Sequence, residues 1–142
     1  MNRMNIITLG VKDMAQSIRF YRDGLGFKAD DNDNEGLIVF KTSCTKLALY
    51  PLTLLAEDIS EADPPKIAEG FSGITIAYNA KNETEVDEVI ELARKAGAVI
   101  AKKPQKVFWG GYSGYFKDPN GYYWEVAHNP FRKFDENEML VY

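Results

Sequence analysis

Residues 114–130 read Gly-Tyr-Phe-Lys-Asp-Pro-Asn-Gly-Tyr-Tyr-Trp-Glu-Val-Ala-His-Asn-Pro, and the fold turns on them. They spell a β-hairpin. Tyr115, Phe116 and Lys117 lead into Asp118-Pro119-Asn120-Gly121, where Asp, Pro and Gly hold the places a tight turn favours, and residues 122–127 return. On the return strand, alternation sends Tyr123, Glu125 and Ala127 to one face and Tyr122, Trp124 and Val126 to the other. A carboxylate flanked by large apolar and aromatic residues stands either at a wet edge or in a site.

Working upstream, the same grammar occurs twice. Residues 6–11, Ile-Ile-Thr-Leu-Gly-Val, form a short strand followed by Asp13, a helix N-cap with Gln16 at the capping-box position. Met14, Ile18, Tyr21 and Leu25 fall on one face of that helix, which ends at Gly24 or Gly26. A polar stretch at 30–36, a strand at 37–41, a turn at 42–45 and a strand at 46–50 follow. Residues 74–78, Ile-Thr-Ile-Ala-Tyr, then restart the pattern, with Asn82 and Glu85 as a second capping box. Val86, Val89, Ile90 and Ala93 make the second helix face and Gly97 its stop. Strands at 98–100 and 106–109, the Gly110-Gly111 break and the opening hairpin complete this half. The two hairpins align without a gap, so that 46–50 corresponds to 122–126, and an internal duplication of a βαβββ unit accounts for both halves. The division is module one at 5–51, a linker at 52–70 with room for one short helix, module two at 71–129, and a tail at 130–142.

Composition bounds the function. At 142 residues, 45% hydrophobic and 13% aromatic, the chain can bury a real core, removing about two-thirds of its unfolded surface. Seventeen basic against 21 acidic residues give a net charge of −4, with no basic run. That balance argues against nucleic-acid or anionic-membrane partners and points to a small molecule or another protein. One cysteine, Cys44, makes no internal disulfide, no apolar run reaches spanning length, and no secretory pattern opens the chain, so a cytoplasmic location is expected.

The opening Ile-Thr-Leu-Gly-Val-Lys-Asp-Met, the pairs Phe20-Tyr21 and Gly26-Phe27, and the terminal Gly-Tyr-Phe-Lys-Asp-Pro-Asn-Gly-Tyr-Tyr-Trp-Glu-Val together resemble the glyoxalase/bleomycin-resistance family, the vicinal oxygen chelate superfamily. The resemblance covers residues 5–129. It implies an α+β fold of two tandem βαβββ modules forming a U-shaped, half-open barrel, helices on the convex side and a cavity on the concave side. The family holds lactoylglutathione lyases, extradiol dioxygenases, epimerases, fosfomycin-inactivating transferases and metal-free antibiotic-sequestering proteins, so the site must choose the function.

In the metal-dependent members, the resemblance implies four ligands from the first and last strands of each module, His or Gln on the first and Glu on the last. Carried through the internal repeat, those positions hold Ile6, Leu49, Gly73 and Glu125, and a shift of one residue offers only Ile7, Ala48, Tyr50, Ser72 and Ile74. Three of the four cannot coordinate a metal. The expectation is therefore no metal and no cofactor, with His128, the only histidine, as an ordinary strand-end residue. What remains is a surface on which Thr8, Thr75, Trp109, Tyr112, Tyr115, Tyr123 and Glu125 contact a ligand. Two readings stay open. One is a metal-independent binder of a small aromatic or mixed-polarity molecule. The other is a lyase, isomerase or dioxygenase with a degenerate or metal-free site and Glu125 as base. A homodimer is expected from the apolar residues Phe131, Phe134, Met139, Leu140, Val141 and Tyr142 of the tail and Leu52, Leu54 and Leu55 of the linker.

Overall fold

A computed structural model describes residues 4–29 and 36–141, so most of the polar stretch before the second strand, and Tyr142, lie outside the described residues. The fold is mixed α+β, and the chain divides into two compact units, Met1–Gly70 and Phe71–Tyr142.

In the first unit, β1 (Ile6–Val11) runs parallel to β3 (Lys46–Pro51), and β2 (Ile38–Phe40) pairs antiparallel on the other side of β3. The Asp13 carboxylate accepts from the Gln16 amide at 2.8 Å and starts α1 (Met14–Ile18). The helix then widens into a π turn (Arg19–Gly24) that closes where Gly26, at φ 79°, lets the Phe27 amide return to the Tyr21 carbonyl. This turn changes the buried face from the one a uniform period predicts. Ser17, Phe20 and Tyr21 are buried, whereas Met14, Ile18 and Leu25 are only half-buried. Ser17 tolerates burial because its hydroxyl donates to the Asp13 carbonyl at 2.7 Å. Tyr21 meets Phe20 and Phe27 edge-on, and Phe27 leans on Phe40, so this helix and one sheet face share an aromatic core with Leu9, Leu47 and Leu49.

The segment expected as linker holds an eight-residue helix, α2 (Leu52–Ile59), begun by Pro51. It packs on β1 and β3 from the side away from α1. The reason is Gly10: a Cβ there would stand 2.6 Å from a Leu52 methyl, 3.2 Å from one of Leu55 and 3.3 Å from the Leu52 Cα. Glycine lets the helix approach the sheet backbone that closely.

The second unit repeats the plan. Its sheet has the order β4-β7-β6-β5, with β4 (Thr75–Asn79) parallel to β7 (Tyr123–His128), β6 (Tyr112–Lys117) antiparallel to β7, and β5 (Val99–Lys106) at the edge. The isolated pairing of Ala29 with Phe40 marks the counterpart of β5 in the first unit. Between β4 and β5 runs α3 (Glu83–Ala96). Asn82 caps it by accepting from the Glu85 amide at 2.9 Å, and Gly97 ends it in the left-handed region at φ 104°. Val86, Ile90 and Ala93 face the sheet over Trp124, Val126 and Phe116, and burying each larger side chain stabilises by about 1.5–3 kcal/mol at most. Trp124 lies parallel to Phe116 at 5.9 Å between centroids.

Three details depart from the sequence reading. The strand expected at 106–109 is the end of β5 plus a turn, closed by the Val107 amide on the Gly111 carbonyl and the Gly110 amide on the Val107 carbonyl. Pro104 sits inside β5, which an edge strand allows. The gapless alignment of the hairpins also fails. Six residues separate the paired Phe40 and Leu47, but seven separate the paired Phe116 and Trp124, so the first turn is one residue shorter. Leu49 thus belongs to the buried helix face, opposite Leu9 and Ile38, and its face is not that of Glu125. Beyond β7 the tail forms a small hairpin of β8 (Lys133–Phe134) and β9 (Leu140–Val141), with Asp135 accepting from the Asn137 and Met139 amides and Glu138 paired with Lys81.

Candidate functional site

The opening hairpin sets the site through one buried carboxylate. Asp118, 3% exposed, accepts from the Asn120 and Tyr122 amides at 2.9 and 2.8 Å, while its own amide donates to the Tyr122 carbonyl. Gly121 completes the turn at φ 97°. This fixes the β6–β7 register, which places Tyr115 directly opposite Glu125. On the other side of β7, Glu125 faces Ala77 of β4, and Tyr123 faces Thr75. Trp124 and Val126 turn toward α3, so Glu125, Tyr123, Tyr115 and Thr75 share the face the helix leaves open.

On that face Tyr115 lies across the strand pair from Glu125. Burial, then hydrogen bonding to Glu125, then the charge of that carboxylate push the phenol up to about 12. Tyr123 meets the exposed Phe71 edge-on at 5.7 Å. Two further groups complete the cluster. The Lys102 ammonium stands 5.6 Å from the Tyr115 ring centroid and donates to the buried Ser113 hydroxyl at 3.3 Å. A row therefore crosses three strands, with Lys102 on β5, Tyr115 on β6 and Glu125 on β7.

Period-2 reading does not find Lys102. Ile100 pairs with Phe116 on the helix face, and the bulge that follows puts Lys102 opposite Tyr115 on the other face. The signals were Pro104 and Gly114. A Cβ on Gly114 would come 3.0 Å from the Lys102 carbonyl oxygen and 3.1 Å from the Pro104 nitrogen, so glycine makes room for the irregular strand beside it.

The remaining expected residues are not gathered with this row. Tyr112 stands on the helix face, where its hydroxyl donates to Asp87 of α3 at 3.0 Å, a bond that raises the phenol above its ordinary range. Trp109 lies in the β5–β6 turn, its ring so close over Gly111 that a Cβ there would fall 1.7 Å from it. Thr8 belongs to the first unit, on the β1 face that carries Gly10. His128 also turns to the helix side, its Nδ1 3.2 Å from the Ala80 carbonyl oxygen, and Cys44 is exposed in a turn.

The donor set does not fit a divalent ion. Among the described residues no three His, Cys, Asp or Glu side chains converge. On the open face of the second sheet, Glu125 is the carboxylate, it already accepts from Tyr115, and an ammonium lies one strand beyond. The positions that share the corresponding face of the first sheet, Ala48 and Tyr50 on β3 opposite Thr8 and Gly10, supply neither imidazole nor carboxylate.

Two parallel-paired βαβ frames, each extended by an antiparallel hairpin, define the class. The chain belongs to the Glyoxalase/Bleomycin resistance protein/Dioxygenase superfamily, whose family model matches residues 3–126. It is similar to a glyoxalase-related enzyme from Fulvimarina pelagi, with 28% identity and a TM-score of 0.89 over 100% of this chain and 99% of that one. It is also similar to the uncharacterized protein YraH of Bacillus subtilis (strain 168), 26% identical over 116 residues, which are 80% of this chain and 88% of YraH. A lactoylglutathione lyase from Agrobacterium tumefaciens, 22% identical with a TM-score of 0.69 over 91% and 95% of the two chains, shares the fold. No helix among the described residues is long and apolar enough to cross a membrane.

Proposed function

We propose that this protein binds a small organic molecule of aromatic or mixed polarity on the open face of its second sheet, without a metal ion. Glu125 is the polar anchor, and Tyr115, Tyr123 and Thr75 form the surrounding surface. The observation that carries the reading is the Tyr115–Glu125 pair, a phenol and a carboxylate set directly opposite each other on a sheet face that no helix of its unit claims. Such a pair costs conformational freedom and desolvation, and aromatic walls with a few placed polar groups are how small-molecule sites hold a ligand. Trp109 is a further candidate contact, whereas Thr8, which belongs to the first unit, and Tyr112, which Asp87 holds on the other face, are left out. In this reading the protein works in the cytoplasm as a homodimer, its exposed Phe131, Met139, Val141 and Leu54 contributing apolar surface to the interface.

A second reading makes Glu125 a general base in a metal-free lyase or isomerase. The similarity to a glyoxalase-related enzyme favours it. Calorimetric and thermal-shift screening of a small-molecule panel, with and without chelator, separates the cases. Binding that survives chelator and is lost in Glu125→Ala supports the first. Turnover of the glutathione–methylglyoxal hemithioacetal abolished by Glu125→Gln supports the second. Stoichiometric sub-micromolar binding of zinc, nickel or manganese would overturn both.

A further inference from the structure

The geometry points to a ligand that carries an oxyanion at one end, met by Lys102, and a hydrogen-bond donor at the other, met by Glu125. The inference rests on the reading of the open face as a binding site and names the chemistry that face selects.

A lysine on a sheet surface ordinarily extends its ammonium into water. Here the bulge after Ile100 turns Lys102 inward over the face, half-buried, with its ammonium above the Tyr115 ring. An ammonium has three N–H donors, and the described structure occupies one, on Ser113. Among the described residues no carboxylate lies within 4.0 Å of it. Glu125, the opposite charge on this face, is held off by the intervening strand. A lone carboxylate accepts about four hydrogen bonds, so one from Tyr115 leaves capacity for a donor brought by the ligand.

Two strand spacings separate the backbones of Lys102 and Glu125, about 10 Å, with Tyr115 on the strand between them and the Lys102 ammonium over its ring. The charges are thus too far apart to neutralise one another directly and near enough for a single-ring molecule to span. The flat middle lies against Tyr115 and Tyr123, and each end finds an opposite partner. A simple cation would meet Lys102, and a dianion would meet Glu125. The arrangement disfavours both and favours amphoteric or hydroxylated aromatic acids.

The test uses para-aminobenzoate, which has both ends, benzoate, which lacks the donor, and para-aminobenzamide, which lacks the charge. Binding is followed by amide chemical shifts of the full chain, titrated into the millimolar range. The expected result is that para-aminobenzoate perturbs Lys102, Tyr115 and Glu125 and binds about tenfold tighter than either relative, as the loss of one charge-assisted hydrogen bond demands. Lys102→Met should erase the preference over the benzamide and Lys102→Arg should retain it. Glu125→Gln should narrow the preference over benzoate. If all three probes bind this face equally, or if Lys102→Met leaves the preference intact, the inference fails while the binding site stands. If none of the probes perturbs this face, both fall.

Discussion

Asp118→Ala tests whether the hairpin turn is held by one side chain. The carboxylate is buried and accepts from two part-buried backbone amides, of Asn120 and Tyr122, at 2.9 and 2.8 Å. Truncation strands both donors. A hydrogen bond to a charged group contributes about 1.5–3 kcal/mol, and water reaching this turn in the variant recovers part of it, which leaves a net loss of about 2–4 kcal/mol. For a chain of this length each kcal/mol moves the melting temperature by about 3–4 °C, so the variant should melt about 6–15 °C lower. Asp118→Asn keeps an acceptor oxygen without the charge and should lose roughly half as much. Urea and thermal melts of the three proteins, followed by far-ultraviolet circular dichroism, read the difference. An alanine variant that melts within about 2 °C of the parent would refute the reasoning, since two uncompensated buried amides cannot be that cheap.

Two further predictions concern the aromatic residues. Gly111→Ala should displace the Trp109 ring, because the new Cβ would stand 1.7 Å from it; with Trp124→Phe leaving Trp109 as the sole reporter, its fluorescence emission should shift, and an unchanged spectrum would contradict the packing. Tyr78 and Tyr115 are both pushed up to about 12, by burial first and then by hydrogen bonds to Glu85 and Glu125. Their neutral forms are favoured in the folded state, so the stability they contribute is fully present below the free phenol's value of about 10 and is lost as pH rises through about 12. Alkaline titration of tyrosinate absorbance should show a late component that Tyr115→Phe diminishes, and a single phase near 10 would count against it.

Local signals were the most legible part of the sequence. Asp13, Asn82 and Gly97 act at the helix ends where their chemistry places them, because a cap depends on three or four neighbouring residues and on nothing distant. The turn at Asp118 and the partition of Trp124 from Glu125 follow from the same locality. Features that alter phase were hidden. The π turn rotated the first helix so that Ser17 and Phe20 are buried where a 3.6 period favours Met14 and Ile18, and the bulge in β5 carried Lys102 across the sheet. The one-residue difference between the two turns misplaced Leu49 in the repeat, since with a side-chain period of two a single slip exchanges the faces. Tyr112 is legible as a strand residue, but only the position of Asp87 on α3 tells which way it is held.

The helix over Gly10 has made the two copies of the repeat unequal. A duplicated unit begins with two equivalent free surfaces, and each addition to one copy breaks the equivalence. In the first copy, eight residues following the last strand fold back and spend that surface on housing the chain's own leucines, Leu52 and Leu55. In the second copy the described residues after β7 form the small β8–β9 hairpin and not a helix, and the polar row of Lys102, Tyr115 and Glu125 stays uncovered by the helix of its own unit. The matching surfaces of the two units therefore differ in what covers them. Substitutions around Gly10 should show first as lost stability, whereas under the proposed function those around Glu125 should show first as altered binding.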